Sequence, residues 1–305
     1  GVGLVGSEMC IRDRFEATMI NARIRKAYLS NNTKVVSLND LGDLTYSYQS
    51  LNGKVKTIKD IFENNNELSK EIIESKKPMI VFGESFFKIK SASHLFNLSK
   101  KFLSKNNKLN DDWNPINILS VDAATVGNLD LDIIDKNDKI LDELHENKFE
   151  IIFLLGQDNL DFKKKDEFII YQGSHGDRGA EIADIILPGA AYTEQSGHYT
   201  NLEGKLQKAY KASYPPGDAK EDWQIINDLA EVMNNRKLFN DKDELESSMF
   251  NYLKVNKDQQ TSELDNKLNE SDFADEFLKV DYKDYYFSNV IARSSKTMLE
   301  CNNAK

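Results

Sequence analysis

Short apolar runs alternate along the chain with segments whose apolar residues recur at helical spacing, and that alternation predicts parallel α/β architecture. Residues 34–38 read as the first strand. Residues 57–75 read as a helix, with Ile58, Ile61, Phe62, Leu68, Ile72 and Ile73 on a common side. Strand 78–82 stops at Gly83, helix 86–103 follows, and 116–121 is the next strand. Residues 138–147 suit a helix, 150–155 form the clearest buried strand, and 168–171 and 182–187 complete the series. Gly83, Gly156 and Gly173 each follow a strand end. Carboxyl ends of parallel strands frame ligand crevices in open sheets. With no G-x-G-x-x-G and no P-loop, however, these glycines read first as tight-turn residues.

The richest wording lies at residues 171–207. Gly173, Gly176 and Gly179 predict a tight loop, since glycine enters positive φ without a Cβ clash. Pro188-Gly189 ends the strand that follows, because proline supplies no N–H. Period-two alternation over 182–187 puts Ile182, Asp184 and Ile186 on one face. Asp184 is therefore expected to be largely buried, accepting hydrogen bonds from backbone N–H groups or a basic side chain, and its replacement by alanine to destabilise the fold. Residues 199–205 read as strand, glycine turn, strand. After the rigid turn Tyr214-Pro215-Pro216-Gly217, residues 219–233 read as a helix with Asp218 as N-cap and Glu221 completing a capping box. Its expected buried face is Trp223, Ile226, Leu229, Ala230 and Met233. Beyond residue 235 the chain turns acidic and helix-tolerant, and reads as a wrap-around extension. Lys163, Lys164 and Lys165 read as solvated surface.

Composition narrows the function classes. Hydrophobic residues make up 40% and charged residues 30% of 305 positions, which suits a globular protein of one large or two medium domains. The sequence has no apolar run near the roughly 20 residues of a membrane helix. A net charge of −10 argues against nucleic acid as the main partner. Residues 1–14 show no helical or strand period and run abruptly into Phe15. The wording VGSEMCIRDR resembles a translated sequencing adapter, so this segment is expected to be a non-native tail outside the fold, making few packed contacts. Cys10 then carries no meaning, and Cys301 alone remains. A disulfide framework is unsupported, and a reducing compartment fits.

Several segments carry a family resemblance. A-D-I-I-L-P at 183–188, T-E-Q-S-G at 193–197 and N-L-E-G-K-L-Q at 201–207 resemble the molybdopterin-oxidoreductase superfamily. Y-Q-G-S-H-G-D-R-G-A at 171–180 is similar to one branch, the G-type subunit of NADH-quinone oxidoreductase, which is the large iron–sulfur subunit of respiratory complex I. The runs from Asn21 to Leu29 and from Asp43 to Tyr46, and near the end Tyr286-Phe287-Ser288 and the run from Ile291 to Met298, resemble that branch too. The resemblance implies an α/β fold with Rossmann-like layers of the molybdopterin-oxidoreductase type over 15–234, divisible into two interleaved subdomains. A helical acidic C-terminal extension would occupy 235–305.

It further implies the C-terminal scaffold portion of a subunit supporting electron transfer from NADH to quinone, not catalytic by itself. Partners would be other subunits of the hydrophilic arm, with no nucleic acid and no direct membrane span. The place would be the cytoplasmic face of the bacterial inner membrane or the mitochondrial matrix side. The [2Fe-2S] and [4Fe-4S] clusters belong in the N-terminal half of such subunits, upstream of Phe15, so no cofactor is expected here; a cluster needs about four cysteine ligands. The alternative is a fragment of a catalytic molybdopterin oxidoreductase acting on formate or nitrate. Catalytic members end in a β-rich cofactor-binding domain, whereas an acidic stretch of helical character follows Met233.

In molybdenum members, loops placed like 173–179 contact the pterin, which makes His175, Asp177 and Arg178 candidates for a vestigial cofactor site. The H-G-D-R-G-A wording departs from the Thr-Glu-rich wording of catalytic members. His175 therefore reads as a structural histidine or subunit contact, and Asp177 with Arg178 as an ion pair ordering the loop. His198, Glu194 and Glu203 lie near one another in sequence but lack H-x-x-x-H spacing, so they read as hairpin packing and polar surface. His94 and His145 read as ordinary helix residues. No G-x-S-x-G elbow is present. No catalytic residue and no metal ligand are assigned.

Overall fold

Adjacent valines with opposite destinations organise the first sheet. In the computed structural model, which describes residues 2–5, 17–134, 139–157, 160, 163–259, 273–279 and 285–304, the chain forms two compact units. One comprises Gly1–Asp122 with Ser262–Tyr282, the other Ala123–Thr261 with Lys283–Lys305.

The first unit runs β1 (Val2–Val5), α1 (Thr18–Asn31), β2 (Lys34–Ser37), β3 (Gln49–Ser50), α2 (Val55–Phe62), α3 (Glu67–Glu74), β4 (Met79–Phe82), α4 (Glu84–Phe87), α5 (Ala92–Lys105) and β5 (Ile116–Ile118). Its parallel sheet has the order β3-β2-β1-β4-β5. Val36, Ile80 and Phe82 point into a core with Ile58 and Ile61 of α2, Ile72 of α3 and Leu95 of α5. Val35, one step along, points the other way, to Ile24 of α1, Leu41 and Leu44. Both faces are covered, as parallel sheets require. The two family-like segments of this unit meet here: the Tyr46 hydroxyl donates to Asn21 Oδ1 at 2.6 Å, and Arg25 Nε donates to Thr45 Oγ1 at 3.0 Å.

Residues 1–14 enter the fold in part, contrary to expectation. Val2–Val5 are the central strand, in parallel register with Lys34–Ser37 on one side and, through Gly3–Val5, with Met79–Val81 on the other. The run is short enough to escape a periodicity search, and its place is set by two neighbours distant in sequence. Residues 6–14 lie outside the described residues. The helix expected over 57–75 is two helices. Asn64 takes a left-handed φ of 65°, which asparagine tolerates, and Asn66 restarts the helix by accepting the Leu68 N–H at 3.0 Å. Likewise 86–103 divides into α4 and α5. Buried Ser91, just before α5, exchanges hydrogen bonds with the backbone of Ala274 at 3.0 and 2.8 Å. That late segment also places Leu278 in the core. The Leu278 N–H donates to the Gly53 carbonyl, and the Glu276 carbonyl accepts the Val55 N–H, both at 3.0 Å.

The second unit contains α6 (Thr125–Asp130), α7 (Ile140–His145), β6 (Ile151–Leu155), β7 (Phe168–Gly173), α8 (Arg178–Ile182), β8 (Ile185–Pro188), β9 (Gly197–Thr200), β10 (Leu206–Ala209), α9 (Asp222–Asn234), α10 (Lys242–Gln259), α11 (Val290–Ser294) and α12 (Lys296–Asn303). β6, β7 and β8 form a parallel sheet in that order. Strand 150–155 is not buried on both sides. Leu154 is buried, but Ile151, Phe153 and Leu155 are exposed. The strand expected over 182–187 begins only at Ile185, because Asp177 starts helix α8 by accepting the Arg178 N–H at 2.8 Å. The hairpin forms where expected. Asn201 Oδ1 accepts the Glu203 and Lys205 N–H groups at 3.0 and 2.9 Å, and Gly204 has φ 75°.

Helix α9 starts later than the sequence suggests. Lys220 is drawn into a bridge with Gly189, donating to the Pro188 carbonyl and accepting the Ala190 N–H. The N-cap is therefore Glu221 with Gln224, not Asp218 with Glu221. Its buried positions are Ile225 and Asn227, while Ile226 and Met233 are exposed. The Asn227 amide turns this face inward: it accepts the Leu238 and Phe239 N–H groups at 2.8 and 3.0 Å and donates to the Phe239 carbonyl at 2.9 Å.

Candidate functional site

The loop at the carboxyl end of β7 gathers the candidate residues around one tyrosine. Tyr171 is almost fully buried, and its hydroxyl donates to the His175 carbonyl at 3.0 Å. The neighbouring glycines serve close approach rather than positive φ. A Cβ at Gly173 would lie 2.3 Å from the Tyr171 hydroxyl oxygen. One at Gly179 would lie 2.8 Å from the Gln157 carbonyl oxygen and 2.9 Å from the tyrosine ring. The expectation of left-handed glycines in this loop is thus corrected: a buried ring occupies the space that side chains would need. Positive φ occurs instead at Gly156, after β6, at 63°.

His175 is half-buried, with Nδ1 2.9 Å from the Ser174 hydroxyl. The hydrogen-bonded ion pair of Asp177 is with Arg293 rather than Arg178: Arg293 Nε donates to Asp177 Oδ2 at 2.7 Å. Arg178 contributes its backbone N–H to the other oxygen. Burial pushes the Asp177 carboxyl up, but the Arg293 hydrogen bond, the Arg178 N–H and the two guanidinium charges outweigh it and hold the group below its ordinary 3.8. Arg293 lies in the family-like C-terminal segment, so two stretches 116 positions apart form this contact. Arg293→Ala is expected to cost about 1 kcal/mol, the upper end for exposed pairs. Amide exchange is expected to rise over both 173–179 and 285–303. Unchanged exchange in the loop would disprove the tie.

Asp184 accepts the hydrogen bonds expected of it, but in an exposed place. Its Oδ2 accepts the Ile169 N–H at 2.8 Å and its Oδ1 pairs with Lys164 at 2.5 Å. These two interactions hold the carboxyl below its ordinary value. The burial expectation failed because the strand starts at Ile185, three residues later than expected, which leaves Asp184 just outside it at the sheet rim. In the lysine run Lys163 and Lys165 are exposed, as expected, and Lys164 is half-buried. Lys164 binds Asp184 and Lys165 Nζ donates to the His145 carbonyl at 2.9 Å, so both make specific contacts.

A network that sequence reading missed lies at the ends of β7 and β8. Buried Gln172 donates to Asp222 Oδ1 at 2.8 Å, and Gln195 Nε2 donates to Asp222 Oδ2 at 2.7 Å. The Asp222 N–H donates back to Gln195 Oε1 at 3.2 Å. Gly189 is needed beside it, since a Cβ there would sit 2.9 Å from Asp222 Oδ1. Only the T-E-Q-S-G wording marked Gln195 in advance.

His198, Glu194 and Glu203 do not converge. His198 packs edge-on against Phe250 at 5.4 Å, and Glu194 accepts the Ala191 N–H at 3.0 Å. Among the described residues no three His, Cys, Asp or Glu side chains could hold a metal ion together. His94 packs beside Phe273, and His145 is exposed.

Glu221 is bonded by three side chains. Lys242 reaches it at 2.5 Å, Lys211 at 3.1 Å and the Trp223 indole N–H at 3.2 Å. Burial raises this carboxyl, but the two lysines and the indole outweigh it and hold it below 4.5. A depressed folded value gives stability that is full above the unfolded value and lost as pH falls through the folded one. Unfolding free energy is therefore expected to decline as pH drops below 4.5, with Asp177 following below 3.8. Denaturant titrations across that range check this. Glu221→Gln should flatten the decline, and an equally steep decline in that variant would refute the assignment.

Residues 5–232 match the family model described as molybdopterin oxidoreductase. Residues 244–301 match the model for the C-terminal region of the G-type subunit of NADH-ubiquinone oxidoreductase. The chain belongs to the molybdopterin oxidoreductase family. Its similarity there runs to the large subunit of complex I. It is 35% identical to the NADH-ubiquinone oxidoreductase 75 kDa subunit of Reclinomonas americana, over 97% of this chain and 45% of that protein. It is 34% identical to the G-type subunit of the NADH-quinone oxidoreductase of Rickettsia bellii, over 99% of this chain and 45% of that protein. To the mitochondrial NADH-ubiquinone oxidoreductase 78 kDa subunit of Candida albicans it is 34% identical, over 94% and 41%. The chain thus spans under half the length of these relatives. Among the described residues no helix is long and apolar enough to cross a membrane.

Proposed function

We propose that this chain is the C-terminal scaffold portion of the iron–sulfur subunit of an NADH-quinone oxidoreductase, supporting electron transfer from NADH to quinone within the complex. The match of residues 244–301 to the C-terminal region of that subunit carries the reading. It falls where the catalytic formate or nitrate alternative needs a β-rich cofactor-binding domain, and that alternative loses its support there. In this reading the partners are other subunits of the hydrophilic arm, on the cytoplasmic face of the bacterial inner membrane or the mitochondrial matrix side. The region 15–234 together with the strand Val2–Val5 is the Rossmann-like core of two interleaved subdomains, and 235–305 is a helical acidic extension that lends Leu278 to that core.

The iron–sulfur clusters belong to the part of the subunit that this chain does not span. Two cysteines in the whole sequence cannot supply the four thiolates a cluster takes. Nor do the candidate residues offer a cradle for a pterin. The close approach allowed by Gly173 and Gly179 is filled by Tyr171, and the Asp177 carboxylate is bound to Arg293. His175, Asp177 and Arg178 then act as loop-ordering residues. Purified chain is expected to contain neither iron nor molybdenum. Elemental analysis checks this, and stoichiometric molybdenum would overturn the scaffold reading.

A further inference from the structure

Asn52 and Gly53 turn the chain between β3 and α2, and they are the sequence's only Asn-Gly pair. Asn52 has φ 59° and Gly53 φ 74°. A turn with positive φ at both central positions favours that pair. A larger residue has no room at the second position, where a Cβ would lie 2.8 Å from Asn39 Oδ1. The turn thus demands a dipeptide that is chemically weak. Asparagine is among the thermolabile residues, and glycine puts no side chain in the way of its own nitrogen.

The weakness is an internal reaction. The Gly53 nitrogen attacks Asn52 Cγ, a C–N bond forms, and the side-chain nitrogen leaves as ammonia with the proton that Gly53 gives up. Water then opens the cyclic imide. Cleavage between the Asn52 main-chain carbonyl and the Gly53 nitrogen leaves isoaspartate, whose backbone runs through Cβ and Cγ and is longer by a methylene. Cleavage at Cγ leaves aspartate.

In the folded chain the attacking nitrogen is withheld. Asn52 is exposed, but Gly53 is buried and its N–H donates to the Leu38 carbonyl at 2.7 Å. Residues 273–279 cover it. The Gly53 carbonyl accepts the Leu278 N–H at 3.0 Å, Lys54 pairs with Phe277, and a Cβ on Gly53 would sit 3.8 Å from the Phe277 ring. Buried Ser91 pins the same segment through Ala274. We propose that Asn52-Gly53 is a self-modification site shielded by residues 273–279, and that its conversion to isoaspartate releases that segment. The added methylene moves the Gly53 carbonyl off the Leu278 N–H and shifts Val55, whose N–H donates to the Glu276 carbonyl at 3.0 Å. Opening of the segment admits the reaction, and the reaction bars closing. The latch runs one way.

Peptide mass spectrometry follows Asn52 while the whole chain stands in mildly alkaline buffer, which favours loss of the Gly53 proton. Deamidation is expected to be slow in the folded chain and fast in chain unfolded by urea. Ser91→Ala cuts both bonds to Ala274 and leaves the turn's own residues unchanged, so it is expected to speed the reaction by on the order of tenfold. Equal rates in the two folded chains overturn the proposal, as does a folded rate matching that in urea. A further measurement needs no variant: as urea is raised, the rate should track amide exchange at Leu278 and Val55. A rate that tracks Ile80 of β4 instead overturns the shielding, since only global unfolding would then admit the reaction. Exchange over 273–279 is expected to rise in chain bearing isoaspartate and to stay unchanged in Asn52→Asp, which carries the charge on a backbone of normal length. A rise in both chains, or in neither, overturns the release.

Discussion

Deleting residues 1–14 is expected to unfold the first unit. β1 lies between β2 and β4, with four register pairs on one side and three on the other. At about 1 kcal/mol net for each backbone hydrogen bond, the loss is on the order of 5 kcal/mol, a large share of a domain's stability. The damage extends beyond those bonds. With β1 gone, β2 and β4 face one another across an empty slot, each with an unpaired inner edge. Val36 and Ile80, which share the core with α2 and α3, lose their fixed separation. Urea unfolding of the whole chain against the chain starting at Phe15 measures the effect. Matching midpoints would mean that residues 1–14 are an appended tail after all.

Replacing Tyr171 with alanine is the second large change, and it reaches the candidate site directly. The side chain is almost fully buried, so the expected cost is about 3–5 kcal/mol, the range for large aromatic deletions. Gly173 and Gly179 cannot collapse into the void, having no side chains to move. Tyr171→Phe keeps the ring but loses the hydroxyl's bond to the His175 carbonyl, at a cost of about 1 kcal/mol. The converse experiment adds rather than removes volume. Gly179→Ala places a methyl 2.9 Å from the ring and 2.8 Å from a backbone oxygen, where overpacking costs about 1–3 kcal/mol. Denaturant midpoints for the three variants should fall in that order of severity, with Tyr171→Ala lowest and Tyr171→Phe highest. If Tyr171→Ala were no worse than Tyr171→Phe, the ring would not be what orders the loop.

The C-terminal segment joins these two themes. Residues 273–279 complete the first unit, where Leu278 enters the core, and Arg293 holds the glycine loop of the second. The order of visits along the chain is therefore first unit, second, first and second again.

Much of this protein was written in its local pattern. The apolar run at residues 34–38 announced the first strand. Asn201 and Gly204 announced the hairpin, and the A-D-I-I-L-P and T-E-Q-S-G wording announced the family. These signals are legible because strand alternation, turn conformation and family wording depend on residues within a few positions of one another. The tertiary structure alone decided the rest. Ile182 was expected to open a strand, yet Asp177 caps residues 178–182 into a helix and the strand begins at Ile185. Asp184 was placed on the right kind of hydrogen bonds but at the wrong depth, since burial depends on what the rest of the chain lays over a strand. Asp177 had Arg178 beside it in sequence and bonded to Arg293, 116 positions away. An ion pair is chosen by which charges the fold brings within reach, and no period in the sequence encodes that distance.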